Sequence, residues 1–230
     1  MKLVQFVDSN DQHHVGVLRD LEVVDLTSSA AAPDSIWSLY YEHGGDKEGL
    51  VTVAERLSQS TDASMLELEQ LLESEPIAGR RLTKSISGPE GNPNGLRVWL
   101  AGVTHEDSAK LREIEAKQVT GDPVNVYDLK YRECAQGGRP ELFAKGDPES
   151  VVGHGDGLTR PEDTQRLVPE TEIVSLYGLN HSGQVERLGY TGGNDVTDNG
   201  IEAANPLNLP QAKNWSGGCA SLGPLLVTAD

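Results

Sequence analysis

The first part of the chain alternates between apolar and polar residues. Through residue 27, apolar residues are interleaved with polar ones, and Ser9-Asn10-Asp11 supplies a turn. Because successive side chains of a strand point to opposite faces of a sheet, this pattern predicts a small β-hairpin or meander. The apolar residues that carry the pattern are Leu3, Phe6, Val15, Val17, Leu21, Val23 and Val24.

A helical pattern follows between Ser35 and Glu75. Apolar residues recur there three or four positions apart, which predicts two or three short helices. Thr61 or Asp62 is available as an N-cap for one of them. The stretch from residue 88 to 95 is rich in Gly, Pro and Asn, so it breaks both periods and indicates a linker or surface loop.

The second half of the chain has the pattern of short strands separated by glycine- and proline-rich loops. Residues 98–103 form an apolar run that is typical of a buried strand, and a helix is predicted from about residue 106 to 118. The sequence therefore predicts an α+β, β-rich fold. Further short strands are predicted near residues 142–145, 172–177, 188–192 and 225–227.

Size and composition narrow the classes of protein that fit. With 230 residues the chain matches one domain of ordinary size plus a smaller appendage. No apolar run approaches the roughly 20 residues of a membrane-spanning helix. The N-terminus turns acidic by Asp8, too early for a signal peptide, so a cytoplasmic protein is expected. Cys134 and Cys219 cannot make a disulfide scaffold. They also stand in no metal-ligand spacing, which excludes structural zinc.

The chain carries a formal net charge of −17, with 36 acidic residues against 19 lysines and arginines. Binding to nucleic acid or to an anionic membrane would add charge repulsion, so neither is an expected partner. Acidic residues spread along the whole chain also fit a halophilic protein, kept soluble at high salt where screening is short-ranged. The alternative is a mesophilic protein that is merely acidic.

Two glutamates stand two positions apart in Pro169-Glu170-Thr171-Glu172, directly before a mostly apolar run. On a strand, residues i and i+2 face the same side, so Glu170 and Glu172 would present adjacent carboxylates. Adjacent carboxylates repel each other unless one holds a proton or a cation lies between them, and hard divalent cations prefer oxygen ligands. The alternative is an exposed edge strand that carries two surface glutamates.

Asp195 is the third acidic candidate, in the segment Gly192-Gly193-Asn194-Asp195. The glycines permit a close turn that would aim Asp195 back at the glutamate pair. Three carboxylate ligands with open positions suit Mg²⁺, which keeps water or substrate in the rest of its octahedron. The alternative is an Asx-turn residue. Asp198, three residues further on, has no predicted link to the metal.

Five motifs over roughly residues 98–230 occur in an order that resembles the fumarylacetoacetate hydrolase family. In that family the E-x-E pair and the aspartate of the N-D motif bind the metal, which implies Mg²⁺ or Mn²⁺ at Glu170, Glu172 and Asp195. The motifs are Gly138-Arg139-Pro140-Glu141-Leu142-Phe143-Ala144-Lys145, Pro169-Glu170-Thr171-Glu172, Gly189-Tyr190-Thr191-Gly192-Gly193-Asn194-Asp195-Val196, Asn205-Pro206-Leu207-Asn208-Leu209-Pro210-Gln211-Ala212-Lys213 and Leu222-Gly223-Pro224.

The resemblance also implies a fold. Members of the family have a rolled, mainly antiparallel β-core that pairs as a homodimer and follows a small N-terminal domain. The expected division is therefore a small α+β domain at residues 1–90 and a catalytic domain at residues 97–230. Relatives continue beyond the position of Asp230 with strands that complete the barrel, so the catalytic domain is expected to be incomplete at its C-terminus.

The segment Ala101-Gly102-Val103-Thr104, followed by Ser108, Arg112 and Glu115, is similar to the family branch that contains 2-keto-3-deoxy sugar-acid dehydratases. This resemblance implies that Ser108 and Arg112 bind the substrate and that Glu115 is catalytic. The alternative is an exposed ion pair between Arg112 and Glu115 on one face of the helix.

Two lysines and a histidine complete the candidates. Lys213, in a turn expected beside the metal, is a catalytic candidate that could pair with a substrate carboxylate, and the alternative is a solvated lysine. Lys145 is a similar but weaker candidate for substrate binding. His105, next to Glu106, is a weak acid–base candidate because neighbouring residues of an element face apart.

These features predict a metal-dependent enzyme that acts on a small 2-oxo acid through an enolate. Chelation of the carboxylate and keto oxygens would stabilise the enolate that forms when C3 loses a proton. Loss of a hydroxyl from C4 makes the enzyme a dehydratase, and the branch resemblance favours dehydration of a 2-keto-3-deoxy sugar acid. The alternatives are an acylpyruvate-type C–C bond hydrolase, an isomerase and an inactive truncated member of the family.

Overall fold

The computed structural model of the chain describes residues 1–27, 32–73, 79–88, 95–120, 126–164 and 166–229. The strands are β1 (Lys2–Val7), β2 (His13–Arg19), β3 (Glu22–Asp25), β4 (Met65–Glu67), β5 (Arg81–Leu82), β6 (Trp99–Gly102), β7 (Glu141–Ala144), β8 (Val151–Val152), β9 (Leu167–Val168), β10 (Thr171–Leu179), β11 (Val185–Asp195), β12 (Thr197–Asp198), β13 (Ala220–Leu222) and β14 (Leu225–Thr228). The α-helices are α1 (Ile36–Ser38), α2 (Lys47–Ser58), α3 (Leu68–Leu72), α4 (Glu106–Thr120), α5 (Val126–Ala135), α6 (Asn199–Ala204) and α7 (Leu209–Lys213). A π-helical segment covers Leu39–Gly44, and 3₁₀ turns cover Pro148–Ser150 and Pro206–Asn208.

A sheet of ten strands forms the centre of the fold, in the order β4-β3-β2-β1-β14-β11-β13-β8. In addition, β5 pairs with β1, and β10 pairs with β11. The pairing is antiparallel throughout this sheet except between β13 and β8. The prediction of an α+β, β-rich fold is confirmed, and so are the N-terminal meander and the strands predicted in the second half of the chain.

Strand β1 lies inside the sheet. Leu3 pairs with Val17 of β2 on one side and with Leu226 of β14 on the other. The side chains of β1 enter two hydrophobic clusters, with Leu3 in one and Val4 and Phe6 in the other. Because both faces are covered, the last five residues of β1 are all buried.

Strands from both ends of the chain share this sheet. Lys2 of β1 lies opposite Val227 of β14, so the pairing joins the N-terminal and C-terminal segments directly. The division into residues 1–90 and 97–230 stays a prediction, since the main sheet contains strands from both ranges. The linker predicted at residues 88–95 lies largely outside the described residues.

The helix predicted to begin near Thr61 or Asp62 starts later in the chain. Met65–Glu67 extends the sheet as β4, with Met65 opposite Val24 of β3. Only Leu68–Leu72 is helical, as α3, and its N-cap is Glu67. Pairing with β3 satisfies backbone groups that a helix would have satisfied internally, so tertiary contact overrides the helical spacing.

A two-stranded ribbon of β6 and β7 lies apart from the main sheet, with Leu100 opposite Phe143. The prediction of a strand at residues 98–103 is confirmed, but its burial was predicted wrongly, because Trp99 is 62% exposed. The helix predicted at residues 106–118 is confirmed as α4, which packs against α5. No helix within the described ranges is long and apolar enough to cross a membrane.

Candidate metal centre

A cavity of about 740 Å³ lies between the main sheet and the ribbon. Its inner wall, built from the ends of β10 and β11 with α7, carries Glu170, Glu172, Asp195 and Lys213. Its outer wall consists of the ribbon β6–β7 and the neighbouring parts of α4 and α5, which contribute residues that include Leu100, Phe143, His105, Leu111 and Tyr127. The structure therefore brings the three predicted metal ligands to one side of a single cavity.

Pairing of β10 with β11 sets the positions of the carboxylates. Glu172 lies opposite Gly193, so the glutamate pair runs alongside the end of β11. The backbone N–H of Asp195 donates to the carbonyl oxygen of Glu170 at 2.9 Å. The backbone N–H of Glu170 donates to Asn194 Oδ1 at 3.1 Å. These two bonds hold Glu170 beside Asp195, although the two residues are far apart in sequence.

Asp195 reaches this place by a route that differs from the prediction. It does not follow a glycine turn but is the last residue of β11, paired with Ala220 of β13. The glycine at position 193 serves close packing, since a Cβ atom there would lie 2.6 Å from Val174 Cγ2. Extended backbone with strands on both sides therefore fixes Asp195 more firmly than a turn would.

Lys213 joins two of the carboxylates through its ammonium group. Its Nζ donates to Asp195 Oδ2 at 2.6 Å, to Thr197 Oγ1 at 2.6 Å and to Glu170 Oε2 at 3.2 Å. The residue is only 4% exposed, so the alternative of a solvated lysine is wrong. Charge-assisted bonds of this kind, shielded from water, hold the inner wall in one geometry.

Lys145 contacts Asp195 but is not part of the cavity lining. Its Nζ is 2.7 Å from Asp195 Oδ1 and donates to the carbonyl oxygens of Val196, at 2.7 Å, and of Lys213. Burial lowers the pKa of Lys145, and the nearby Asp195 carboxylate offsets part of this effect. A contact between Lys145 and substrate stays a prediction, whereas its contact with Asp195 is direct.

The surroundings of Glu172 in the inner wall disfavour its negative charge. Burial raises the pKa of its carboxyl group, and repulsion by Asp195 and Glu170 raises it further, while Lys213 and His105 act in the opposite direction. A carboxylate whose charge is disfavoured in this way gains stability when a cation binds beside it. His105, a weak acid–base candidate from the sequence, thus lies close enough to lower the pKa of the Glu172 carboxyl group.

The inner wall fits a hard divalent cation by its chemistry. It offers carboxylate oxygens, and Asp195 Oδ1 is buried and accepts no hydrogen bond, although the Lys145 ammonium lies near it. Within the described ranges, no three acidic, histidine or cysteine side chains are gathered closely enough to hold a metal as they stand. The ammonium of Lys213 lies between Glu170 and Asp195, so a bound cation would share these oxygens with Lys213.

The outer wall contains the segment that suggested the dehydratase branch. Ser108, Arg112 and Glu115 belong to α4, but their side chains lie outside the described residues, so their predicted roles stay predictions. Val103, at the turn from β6 into α4, has a φ of 54°. A β-branched residue rarely adopts this left-handed conformation, so the backbone is strained where it enters the cavity wall.

Glu202 was not identified from the sequence, and Asp198 was predicted to have no link to the metal. Glu202 on α6 is 7% exposed and lines the cavity, so a further buried acidic side chain belongs to the site. Asp198 caps α6, its Oδ1 accepting from the backbone N–H groups of Gly200 and Ile201. Asp198 therefore has a structural role as the N-cap of α6, which was not predicted. A signal was present in the sequence, because an aspartate just before a short helical stretch is a common N-cap.

Comparison with proteins of known identity relates the chain to sugar-acid dehydratases. It is 34% identical over 166 residues to 2-dehydro-3-deoxy-D-arabinonate dehydratase of Saccharolobus solfataricus, a match over 72% of this chain and 50% of that protein. It is 31% identical over 212 residues to a Haloferax volcanii protein named "Probable 2-keto-3-deoxyxylonate dehydratase", a match over 92% of this chain and 63% of that protein. The chain thus spans between half and two thirds of the length of these relatives.

Solved structures give the same relationship. The structure of a 2-keto-3-deoxy-D-arabinonate dehydratase complexed with magnesium and 2,5-dioxopentanoate superimposes with a TM-score of 0.65 at 28% identity, over 100% of this chain and 67% of that one. Fumarylacetoacetate hydrolase from Exiguobacterium antarcticum shares the fold, with a TM-score of 0.60 at 20% identity over 99% of this chain and 66% of that one. No family model matches the sequence. The resemblance that the motifs indicated is confirmed by these relatives.

Proposed function

Because the chain is related in sequence and fold to the fumarylacetoacetate hydrolase family, we propose that it acts as a divalent-metal-dependent dehydratase of 2-keto-3-deoxy sugar acids. The observation that carries the proposal is the inner wall, where Glu170, Glu172 and Asp195 meet Lys213 at one side of a cavity. Relatives named as dehydratases of this substrate class support the choice of reaction.

Glu170, Glu172 and Asp195 would hold Mg²⁺ or Mn²⁺. When bound, such a cation supplies the positive charge that a 2-oxo acid requires as C3 loses a proton. The cavity is large enough for a small sugar acid, and its lining includes the apolar residues Leu100 and Phe143.

Catalytic roles for Lys213 and Glu115 remain part of the proposal. Lys213 lies among the carboxylates and would pair with the carboxylate of a bound acid. Glu115, Ser108 and Arg112 on α4 would act from the outer wall, with Ser108 and Arg112 binding the substrate. Glu202 adds an acidic group to the cavity, which suits hydrogen bonding to hydroxyl groups of a sugar acid.

We also propose an oligomeric state and a cellular location for the protein. Strand β10 pairs with β11 and presents Ile173, 84% exposed, and Tyr177, 59% exposed, which suits pairing of two chains as a homodimer. The acidic excess suits a cytoplasm of high salt content. Nucleic acid and membranes are unsuited partners, because the net charge of −17 would oppose contact with anionic surfaces.

Product identification tests the proposed reaction. The purified chain is incubated with Mg²⁺ and a panel of 2-keto-3-deoxy sugar acids and acylpyruvates, and products are identified by mass spectrometry. We expect the sugar acids to lose the mass of one water molecule and the acylpyruvates to remain intact. Cleavage of acylpyruvates would instead favour the C–C bond hydrolase. Turnover of neither class, in a preparation that binds the metal, would contradict the proposal.

A further inference from the structure

The ammonium group of Lys145 is enclosed by protein. The side chain is 1% exposed, and Nζ lies 5.4 Å from the ring centroid of Trp215, over its face. Two backbone carbonyl oxygens accept hydrogen bonds from Nζ, those of Val196 and Lys213. A lysine buried to this degree is uncommon, and its charge requires a partner of opposite sign.

Asp195 provides that partner, and two lysines share it. The Lys145 ammonium lies 2.7 Å from Oδ1, and the Lys213 ammonium lies 2.6 Å from Oδ2. Asp195 is itself only 5% exposed, so water contributes little to its stability as a charged group. Lys213 divides its charge between Asp195 and Glu170. Lys145, by contrast, contacts Asp195 without being part of the cavity lining.

We propose that Lys145 is a positioning residue that serves as a built-in counter-cation of Asp195. It holds the Asp195 carboxylate in place in the metal-free protein and competes with a divalent cation for the same carboxylate. The inference rests on the proposed metal-dependent function, because Lys145 competes with a cation only if that cation binds Asp195.

A cost in metal affinity follows from this arrangement. Lys145 and a bound cation are both positive and act on the same carboxylate, so each weakens the binding of the other. Removal of Lys145 therefore destabilises the metal-free protein more than the metal-loaded protein. A lysine that only filled space would destabilise both forms equally, and a lysine that touched the substrate would change KM.

Lys84 offers a matched control. Its ammonium is also partly buried and donates to two backbone carbonyl oxygens, Pro148 O at 2.9 Å and Val151 O at 3.1 Å. It lies outside the lining of the metal cavity. Lys84→Met thus removes an ammonium group with similar backbone contacts and leaves the inner wall unchanged.

The test compares Lys145→Met, Lys84→Met and the parent protein at mildly alkaline pH. Thermal melts are recorded without metal and with saturating Mn²⁺, and calorimetry gives the Kd for Mn²⁺. We expect Lys145→Met to show a larger rise in Tm on metal addition and a Kd about fivefold or more tighter than the parent. Lys84→Met should match the parent in both quantities. Lys145→Gln is measured in the same way if Lys145→Met does not fold.

Equal metal responses in the two methionine variants would overturn the inference, as would a change in KM with an unchanged metal response. A parent protein that binds no metal would refute the proposed function instead. In that case the metal-free double-mutant cycle with Asp195→Asn still decides the role of Lys145. The inference requires Lys145→Met to lower Tm much less in the Asp195→Asn background than in the parent, and equal losses would contradict it.

Discussion

The two walls of the cavity differ in how they are held. The inner wall is held by ion pairs, because Lys213 of α7 pairs with Asp195 at the end of β11 and with Glu170 next to β10. The outer wall is a two-stranded ribbon next to α4 and α5, and its apolar side chains are largely exposed, with Trp99 at 62% and Leu142 at 59%. Isolated two-stranded ribbons are only marginally stable, so the geometry of the outer wall is less constrained.

This difference suggests a division of roles. A cation requires ligands in fixed positions, which the pairing of β10 with β11 and the buried ion pairs provide. Selection among substrates requires a surface that can vary without disturbing the metal, and the ribbon with α4 meets that condition. Changes to the inner wall should therefore affect metal binding, and changes to the outer wall should affect substrate binding.

The largest effect is expected from Glu172→Gln and Glu170→Gln. Loss of a ligand charge should weaken Mn²⁺ binding by about 100-fold or more and remove activity. The measurement is the rise in Tm on metal addition together with the dehydration rate. Both variants should stay folded without metal. A metal response equal to that of the parent would show that the glutamate pair does not bind the cation.

We expect the stability of the metal-free protein to depend on pH through Glu172. Its pKa is raised in the folded protein by burial and by repulsion from Asp195 and Glu170, so folding favours the protonated form. In the metal-free protein this contribution to stability is present at acidic pH and is lost as the pH rises through the raised pKa. Melts across this range should show a smaller loss in Glu172→Gln than in the parent. Identical pH profiles would contradict this role of Glu172.

Asp195→Asn should remove metal binding and also destabilise the fold by about 3–5 kcal/mol, since it leaves two buried ammonium groups poorly paired. Chemical denaturation measures the loss. Asp198→Asn is a poor control, because Asp198 is 1% exposed and caps α6. Asp163→Asn, in an exposed loop, is the better one and should change little. Equal losses at Asp195 and Asp163 would indicate a general effect of charge.

A smaller effect, confined to substrate binding, is expected from the outer wall. Arg112→Ala should raise KM by about tenfold, a loss of ~1.4 kcal/mol, and leave the Kd for Mn²⁺ unchanged. Arg132→Ala is the matched control on α5, where Arg132 is 68% exposed and pairs with Asp128 at 2.8 Å. If Arg112→Ala weakened metal binding instead, the division between the two walls would be wrong.

The smallest effect concerns the surface as a whole. Stability should increase gradually as KCl rises to molar concentrations, because salt screens the repulsion within a chain of net charge −17. Thermal melts of the metal-free protein in a KCl series provide the measurement, with the metal-loaded protein as a comparison. A Tm that stays flat or falls would remove the interpretation of the acidic excess as salt adaptation.

The sequence predicted the inner wall better than the outer wall. Glu170, Glu172 and Asp195 were identifiable because spacing on a strand and acidic side chains express the chemistry directly. The sequence did not predict how the backbone places Asp195, because Gly192 and Gly193 indicate either a turn or close strand packing. Only the pairing of β11 with β13 decides between these two structures. The ion pair of Lys145 with Asp195 joins distant segments of the chain, which local sequence patterns do not reveal.

The outer wall was predicted less well for a related reason. The apolar run at residues 98–103 indicated burial, but the ribbon that it forms leaves Trp99 exposed. Glu202 was missed because α6 is short, and an acidic residue in its first turn could equally stabilise the helix dipole. Glu202 reaches the cavity because α6 packs beside it, and this tertiary contact cannot be predicted from the local sequence.

Calorimetric titration of the metal-free chain with Mn²⁺ tests most directly whether the inner wall binds a divalent cation. We expect one saturable site per chain, with an affinity that rises with pH as Glu172, whose pKa is raised, loses its proton. The double variant Glu170→Gln/Asp195→Asn should show no saturable binding, and the Asp163→Asn variant should titrate like the parent. Binding that persists in the double variant, or a parent chain that binds no Mn²⁺ at all, would contradict the assignment of Glu170, Glu172 and Asp195 as the metal centre.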